Sequence, residues 1–188
     1  MPPDEGLALH DAGLEAARIG PLLEIGTYCG KSAVYLGAAA SERKTVLYTI
    51  DHHQGSEEMQ PDWEHHDAEL VDATTGRMNS FPFFQRTVVD AGLEDTVVAV
   101  IGDSPTIARH WTTPLGLVFV DGAHSEEPAM ADYEGWAPKL VDGGLLAIHD
   151  VFEDPRDGGR GPFRVYERAK HDGFADVSAC GSLRVLRR

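Results

Sequence analysis

Two stretches of this 188-residue chain bring together side chains whose types and spacing suit proton and cation chemistry. The first, Leu117-Val118-Phe119-Val120-Asp121-Gly122-Ala123-His124, is an apolar run of strand type ending in an acid, with a histidine three residues later. The second, Leu145-Leu146-Ala147-Ile148-His149-Asp150, ends in a histidine and an acid. In an open α/β sheet, ligands sit at the carboxyl ends of the strands, so adjacent strands would make these side chains converge. Converging carboxylates either share a proton or hold a cation. Asp121 and Asp150 suit Mg²⁺, and His149 tilts such a site toward Mn²⁺ or another transition metal. His124 is the candidate general base. Taken singly, each residue fits a turn or a cap better, and the lesser alternative for His124 is to cap a following helix with Ser125. Their joint placement is what favours a cation.

A third stretch has a different character. Leu22-Leu23-Glu24-Ile25-Gly26-Thr27-Tyr28-Cys29-Gly30-Lys31-Ser32 reads as a strand, a turn and a helix start. Gly26 permits a sharp turn and Gly30 lets the helix begin close to a ligand. The first-turn amides of that helix form an electropositive cup, and Glu24, Gly26, Thr27, Tyr28, Gly30 and Ser32 are the candidate binding residues of this stretch. Asp51 ends the next strand, where a carboxylate can take two ribose hydroxyls. The spacing is E-x-G-x-x-x-G, which is neither the G-x-G-x-x-G of dinucleotide binders nor a P-loop. Gly102-Asp103-Ser104 follows a third strand, and Asp103, ahead of Pro105, can also cap a helix.

The elements that must position these residues alternate along the chain. Strands are expected at Pro21–Ile25, Thr45–Ile50, Thr96–Ile101, Leu115–Val120 and Leu145–His149. Helices are expected at Lys31–Ala40, around Thr106–Trp111, and from a cap at Ser125 to about Leu140, stopped by Gly143-Gly144. Phe174–Ser178 and Ser182–Leu186 read as a closing hairpin. This pattern predicts an α/β, Rossmann-like, doubly wound and mostly parallel seven-stranded sheet with a C-terminal antiparallel hairpin, in a single domain over 1–188. Two stretches break the rhythm and are expected to be functional loops: a His- and acid-rich insertion over 52–80, read as a lid or substrate insertion, and a Gly/Pro loop over 153–162, read as a substrate rim.

The net charge of −15 argues against nucleic acid or an anionic membrane as partner. Cys29 and Cys180 have no metal or disulfide-framework spacing, which fits a reducing compartment. The amino terminus lacks the pattern of a signal peptide, and no apolar run approaches the ~18 residues of a membrane span. A cytoplasmic protein is therefore expected.

The glycine turn together with the second acid resembles class I S-adenosylmethionine-dependent methyltransferases. That resemblance implies that the turn cradles the methionine part of S-adenosylmethionine, that Asp51 binds its ribose, and that Gly102-Asp103-Ser104 meets the adenine. Val120-Asp121-Gly122-Ala123-His124-Ser125-Glu126-Glu127, Asp132-Tyr133-Glu134-Gly135-Trp136-Ala137-Pro138-Lys139-Leu140 and Ile148-His149-Asp150-Val151 are similar to the small metal-dependent O-methyltransferases of macrolide and aminocoumarin sugars, over about residues 20–152. The resemblance implies a metal, Mg²⁺ or Mn²⁺, on Asp121 and the pair His149-Asp150, with His124 as base. The metal would lower the pKa of an acceptor hydroxyl while the imidazole takes its proton. Two positions depart from the pattern: His149 stands where an acid is common, and Glu126 where an aromatic is frequent.

The stretch Thr49–Glu58 is similar to that of methylmannose polysaccharide 1-O-methyltransferases, so the expected partner is a small-molecule or oligosaccharide acceptor such as a mannoside. A homodimer is also expected. Trp63, Phe81, Phe83 and Phe84 can offer a sugar a stacking face, although Phe83 and Phe84 fit a helix core better. Glu57-Glu58 and His65-His66 fit plain solvated surface equally. The rival readings are a catechol-type O-methyltransferase, a non-catalytic nucleotide-binding protein of the same fold, and an NAD-binding oxidoreductase, which the glycine spacing disfavours.

Overall fold

The computed structural model describes residues 1–55, 67–154 and 156–188. Its centre is β4 (Leu115–Val120), whose six residues are all buried and read as a continuous apolar run, as a parallel strand covered on both faces must. Parallel ladders join β4 to β1 (Leu22–Ile25) and to β5 (Leu140–Ile148), and run outward from β1 through β2 (Leu47–Asp51) to β3 (Val97–Ile101). The antiparallel pair β6 (Ala175–Cys180) and β7 (Leu183–Arg187) closes the other edge, giving the order β3-β2-β1-β4-β5-β7-β6. The expected seven-stranded, doubly wound α/β sheet with its C-terminal hairpin is what forms.

Alternation along each strand sends side chains to two cores. Leu22, Leu47, Leu117 and Phe119 face α1 (Pro3–Ala16), α2 (Lys31–Glu42) and α3 (Phe81–Asp90). Leu23, Ile25, Val118, Val120 and Ile148 face α4 (Ser104–His110), α5 (Glu126–Trp136) and α6 (Arg160–His171). Strand order reverses between β1 and β4, and such a switch point opens a crevice at the strands' carboxyl ends.

Several expectations change in detail. The chain contains α1 and α6, which the sequence did not announce, and α6 absorbs the last residues of the 153–162 loop. Gly143-Gly144 does not stop a helix; it lies inside β5, which begins at Leu140, after α5 has ended at Trp136 and a short 3₁₀ turn has followed. Gly143 supplies a left-handed φ of +79°, and a side chain on Gly144 would press on the carbonyls of Val141 and Gly116. Ser125 occupies the N-cap position of α5 but its side chain makes no capping bond. Phe84 is core whereas Phe83 is exposed, correcting the expectation that both pack inside. Trp63, Glu57-Glu58 and His65-His66 lie outside the described residues.

Candidate active site

A cavity of about 350 Å³ opens at the switch point, lined on one side by Gly26, Tyr28, Asp51, Gly102, Asp103 and Ser104. Gly26 has φ +88°, and a Cβ there would run into the Asp121 carbonyl, so only glycine lets β1 turn across the end of β4. Tyr28 (φ 49°) and Gly30 (φ 89°) also sit in the left-handed region. Asp51 fixes this turn: its Oδ2 accepts from the Tyr28 amide at 2.8 Å and its Oδ1 from the His53 amide at 2.7 Å. Each carboxylate oxygen keeps further acceptor capacity toward the cavity. Asp103 is the N-cap of α4, accepting from the Thr106 amide at 3.0 Å, and also lines the cavity, so both of its expected roles are sterically compatible.

Glu24, Thr27, Gly30 and Ser32 do not line the cavity. Glu24 is fully buried, and neither carboxylate oxygen has a hydrogen-bond partner among the described residues. Burial pushes its pKa up to about 8, and the nearby Asp121 and Asp51 charges push the same way.

On the opposite side, the β4–β5 register pairs Val120 with Ile148 and sets the next residues, Asp121 and His149, side by side. The ladder still holds their backbones, with the Asp121 amide on the Ile25 carbonyl at 2.9 Å and the His149 amide on the Val120 carbonyl at 3.2 Å. Asp150 follows in the left-handed region (φ 55°), which turns its carboxylate back toward the same point. One ligand atom from each of Asp121, His149 and Asp150 lies within 4.8 Å of the others. Two hard oxygens and an imidazole nitrogen fit a divalent cation.

His149 Nδ1 is 3.1 Å from Asp121 Oδ1 and 3.2 Å from Asp150 Oδ2. Burial opposes its protonation, but the bonds to Asp121 and Asp150 and their charges outweigh this and lift its pKa to about 10. Burial also opposes ionisation of Asp150, yet the bonds to His124 and His149 hold it well below the usual carboxylate range. His124 Nε2 lies 3.0 Å from Asp150 Oδ2, so the candidate base and the candidate ligand set share one carboxylate. Gly159 and Gly161 pass against the His124 backbone, and the Gly161 amide bonds its carbonyl at 2.9 Å.

Three further residues belong to the site. Asp132 lines the cavity from α5, accepts from Ser104 Oγ at 2.5 Å, and is pushed to about 6 by burial. Trp136 Nε1 donates to the same Ser104 Oγ at 2.9 Å. Ser80 lines the cavity and ties the end of the 52–80 stretch to its start through His53 Nδ1 at 2.8 Å. Glu5, from α1, meets His149 Nε2 at 2.8 Å. No local signal marks Glu5.

Residues 23–151 match the Methyltransferase domain family, which is more than half of the chain. The chain belongs to this methyltransferase family. Solved structures similar to this methyltransferase domain include the O-methyltransferase NovP, at 18% identity with a TM-score of 0.72, covering 98% of this chain and 79% of that one. An O-methyltransferase from Bacillus cereus in complex with SAH is 18% identical with a TM-score of 0.67, covering 100% and 82%. CalS11, the TDP-rhamnose 3′-O-methyltransferase of calicheamicin biosynthesis, is 16% identical with a TM-score of 0.68, covering 97% and 78%. At these identities the likeness shows a shared fold. No helix among the described residues of this methyltransferase domain is long and apolar enough to cross a membrane.

Proposed function

We propose that the chain is an S-adenosylmethionine-dependent and divalent-cation-dependent O-methyltransferase that methylates a hydroxyl of a sugar or saccharide. The observation that carries this reading is the convergence of Asp121, His149 and Asp150 beside a cavity walled by the Gly26 turn and Asp51. Asp51 takes the ribose, the turn takes the methionine part at Gly26 and Tyr28, and Gly102, Asp103 and Ser104 take the adenine. Asp121, His149 and Asp150 would hold the cation, Mg²⁺ or Mn²⁺. When bound, the cation supplies Lewis acidity that lowers the pKa of the acceptor hydroxyl. His124 accepts the hydroxyl proton on its ring, and Asp150 steadies the imidazolium that forms. The oxygen then bonds to the methyl carbon as the carbon–sulfur bond breaks, and the cofactor leaves as the neutral thioether. Most of the rate comes from holding the oxygen in line with that bond.

The saccharide class is supported by the polar stretch at 52–80 and by the fold shared with a TDP-rhamnose 3′-O-methyltransferase. The loop over 153–162, which runs against His124, forms the acceptor rim in this reading. A homodimer completes the proposal and is checked by light scattering.

Thermal shift tests the cofactor. S-adenosylhomocysteine at 100 times its Kd should add ~2.7 kcal/mol of stability, or roughly 5–10 °C for a chain of this size. Stabilisation by NAD⁺ and not by S-adenosylhomocysteine contradicts the reading. Methyl transfer from labelled cofactor across a panel of sugars, mannosides and catechols then tests the acceptor; turnover of catechols alone replaces the saccharide class with a phenol.

A further inference from the structure

We propose that Glu5, on the amino-terminal helix, is the positioning residue that aims His149 at the cation site; this rests on the cation reading above. Glu5 is 3% exposed, and its two oxygens serve two different elements. Oε2 meets Nε2 of His149 at 2.8 Å. Oε1 accepts from both the amide and the hydroxyl of Ser182, at 2.5 and 2.9 Å, in the turn between β6 and β7. Ser182 in turn accepts the Val151 amide on its carbonyl at 3.0 Å, directly after Asp150. One carboxylate therefore ties α1, the β6–β7 turn and the end of β5 together.

A buried carboxylate is costly unless its hydrogen bonds are satisfied, and the other buried side chains of α1 are Leu9, Ala12 and Ala16. Packing alone would have been served by another apolar residue. What a carboxylate adds is a fixed acceptor for Nε2–H. With a cation in place of the Nδ1 proton, the lone pair of Nδ1 would join the oxygens of Asp121 and Asp150, which lie 3.1 and 3.2 Å away. A carboxylate behind a ligating imidazole orients the ring and raises its basicity as a ligand. Glu5 thus makes a usable nitrogen ligand of His149, and a nitrogen ligand favours Mn²⁺ over Mg²⁺.

Glu5→Gln keeps the size of the side chain but can place an amide N–H against Nε2, which moves the ring proton to the cation-facing nitrogen. Mn²⁺ affinity, read by electron paramagnetic resonance of free Mn²⁺, should fall about 10–100-fold in E5Q. S-adenosylhomocysteine affinity should stay unchanged. The Mn²⁺ echo-envelope signal of a directly bound ¹⁴N should be present in the unaltered protein, absent in H149A and weakened in E5Q. Added to H149A, E5Q should cost nothing further, because the two act as one unit. Mn²⁺ affinity in E5Q equal to that of the unaltered protein overturns the role of Glu5 while leaving the cation centre standing. Failure of the unaltered protein to bind Mn²⁺ or Mg²⁺ at all overturns the cation reading itself, and this inference with it. Should E5Q fail to fold, Glu5→Asp, which retracts the carboxylate by one methylene, must show the loss of Mn²⁺ affinity in a folded protein; unchanged affinity there overturns the proposal.

Discussion

At the β1–β2 end of the cavity the chain works with backbone: left-handed residues at Gly26, Tyr28 and Gly30, and an Asp51 carboxylate whose known bonds are to amides. At the β4–β5 end it works with side chains, as Asp121, His124, His149, Asp150 and Glu5 bond chiefly to one another. A backbone cradle holds its shape through local conformation and tolerates a change in one side chain. A linked set of charged groups does not, since removing one member leaves its partners' charges uncompensated, most severely at the buried His149 and Glu5. The two ends should therefore respond differently to mutation: the first in binding and stability, the second in turnover.

The largest effect is expected from Asp150→Asn, which strips both His124 and the cation site of a shared carboxylate. Its loss of kcat should exceed that of His124→Ala while binding of S-adenosylhomocysteine persists; equal losses of binding and turnover would erase the contrast between the two ends. His124→Ala should lower kcat by about 10²–10⁴-fold, the usual worth of a positioned base. Steady-state kinetics at saturating cofactor checks it, and retained turnover at neutral pH removes His124 as base.

Gly26→Ala probes the cradle. It combines strained φ with a clash against Asp121, so it should cost about 1–3 kcal/mol of stability and weaken cofactor binding, with denaturant unfolding as the measure. Cofactor affinity equal to that of the unaltered protein would show that the turn is not the cradle.

The last effect shows only in the pH dependence of stability and concerns Glu24. Folding raises its pKa to about 8 from 4.5, so the folded state keeps a proton that the unfolded chain gives up. That contribution to stability is complete below 4.5 and is lost as pH rises toward 8, at about 1.4 kcal/mol per pH unit. Urea unfolding across this range should show a flatter pH dependence in Glu24→Gln, and parallel profiles would contradict the shift.

The same contrast governs what could be read from sequence. Gly26, Asp51, Asp121 and Asp150 stand where apolar strands end, and strand ends in a doubly wound sheet point to one crevice. His149 converges with the acids because β5 pairs with β4, which the alternation of elements implies. Glu5 could not be found this way: its contact with His149 spans 144 positions. Its helix also contains Gly6 and Gly13, poor helix formers that are needed for close approach to Tyr35 and Ala39. The helix α6 was hidden for a related reason, with only Pro162, Val165 and Ala169 as its buried apolar residues beyond Gly161. Nothing local to Asp132 marks it, because its burial against Ser104 is a tertiary fact.

The most direct test of the account is methyl transfer from labelled S-adenosylmethionine to a saccharide acceptor before and after chelation by EDTA. The account predicts that turnover disappears with EDTA and returns on adding Mn²⁺ or Mg²⁺, while binding of S-adenosylhomocysteine is untouched throughout. Turnover that survives complete removal of divalent cations would contradict it.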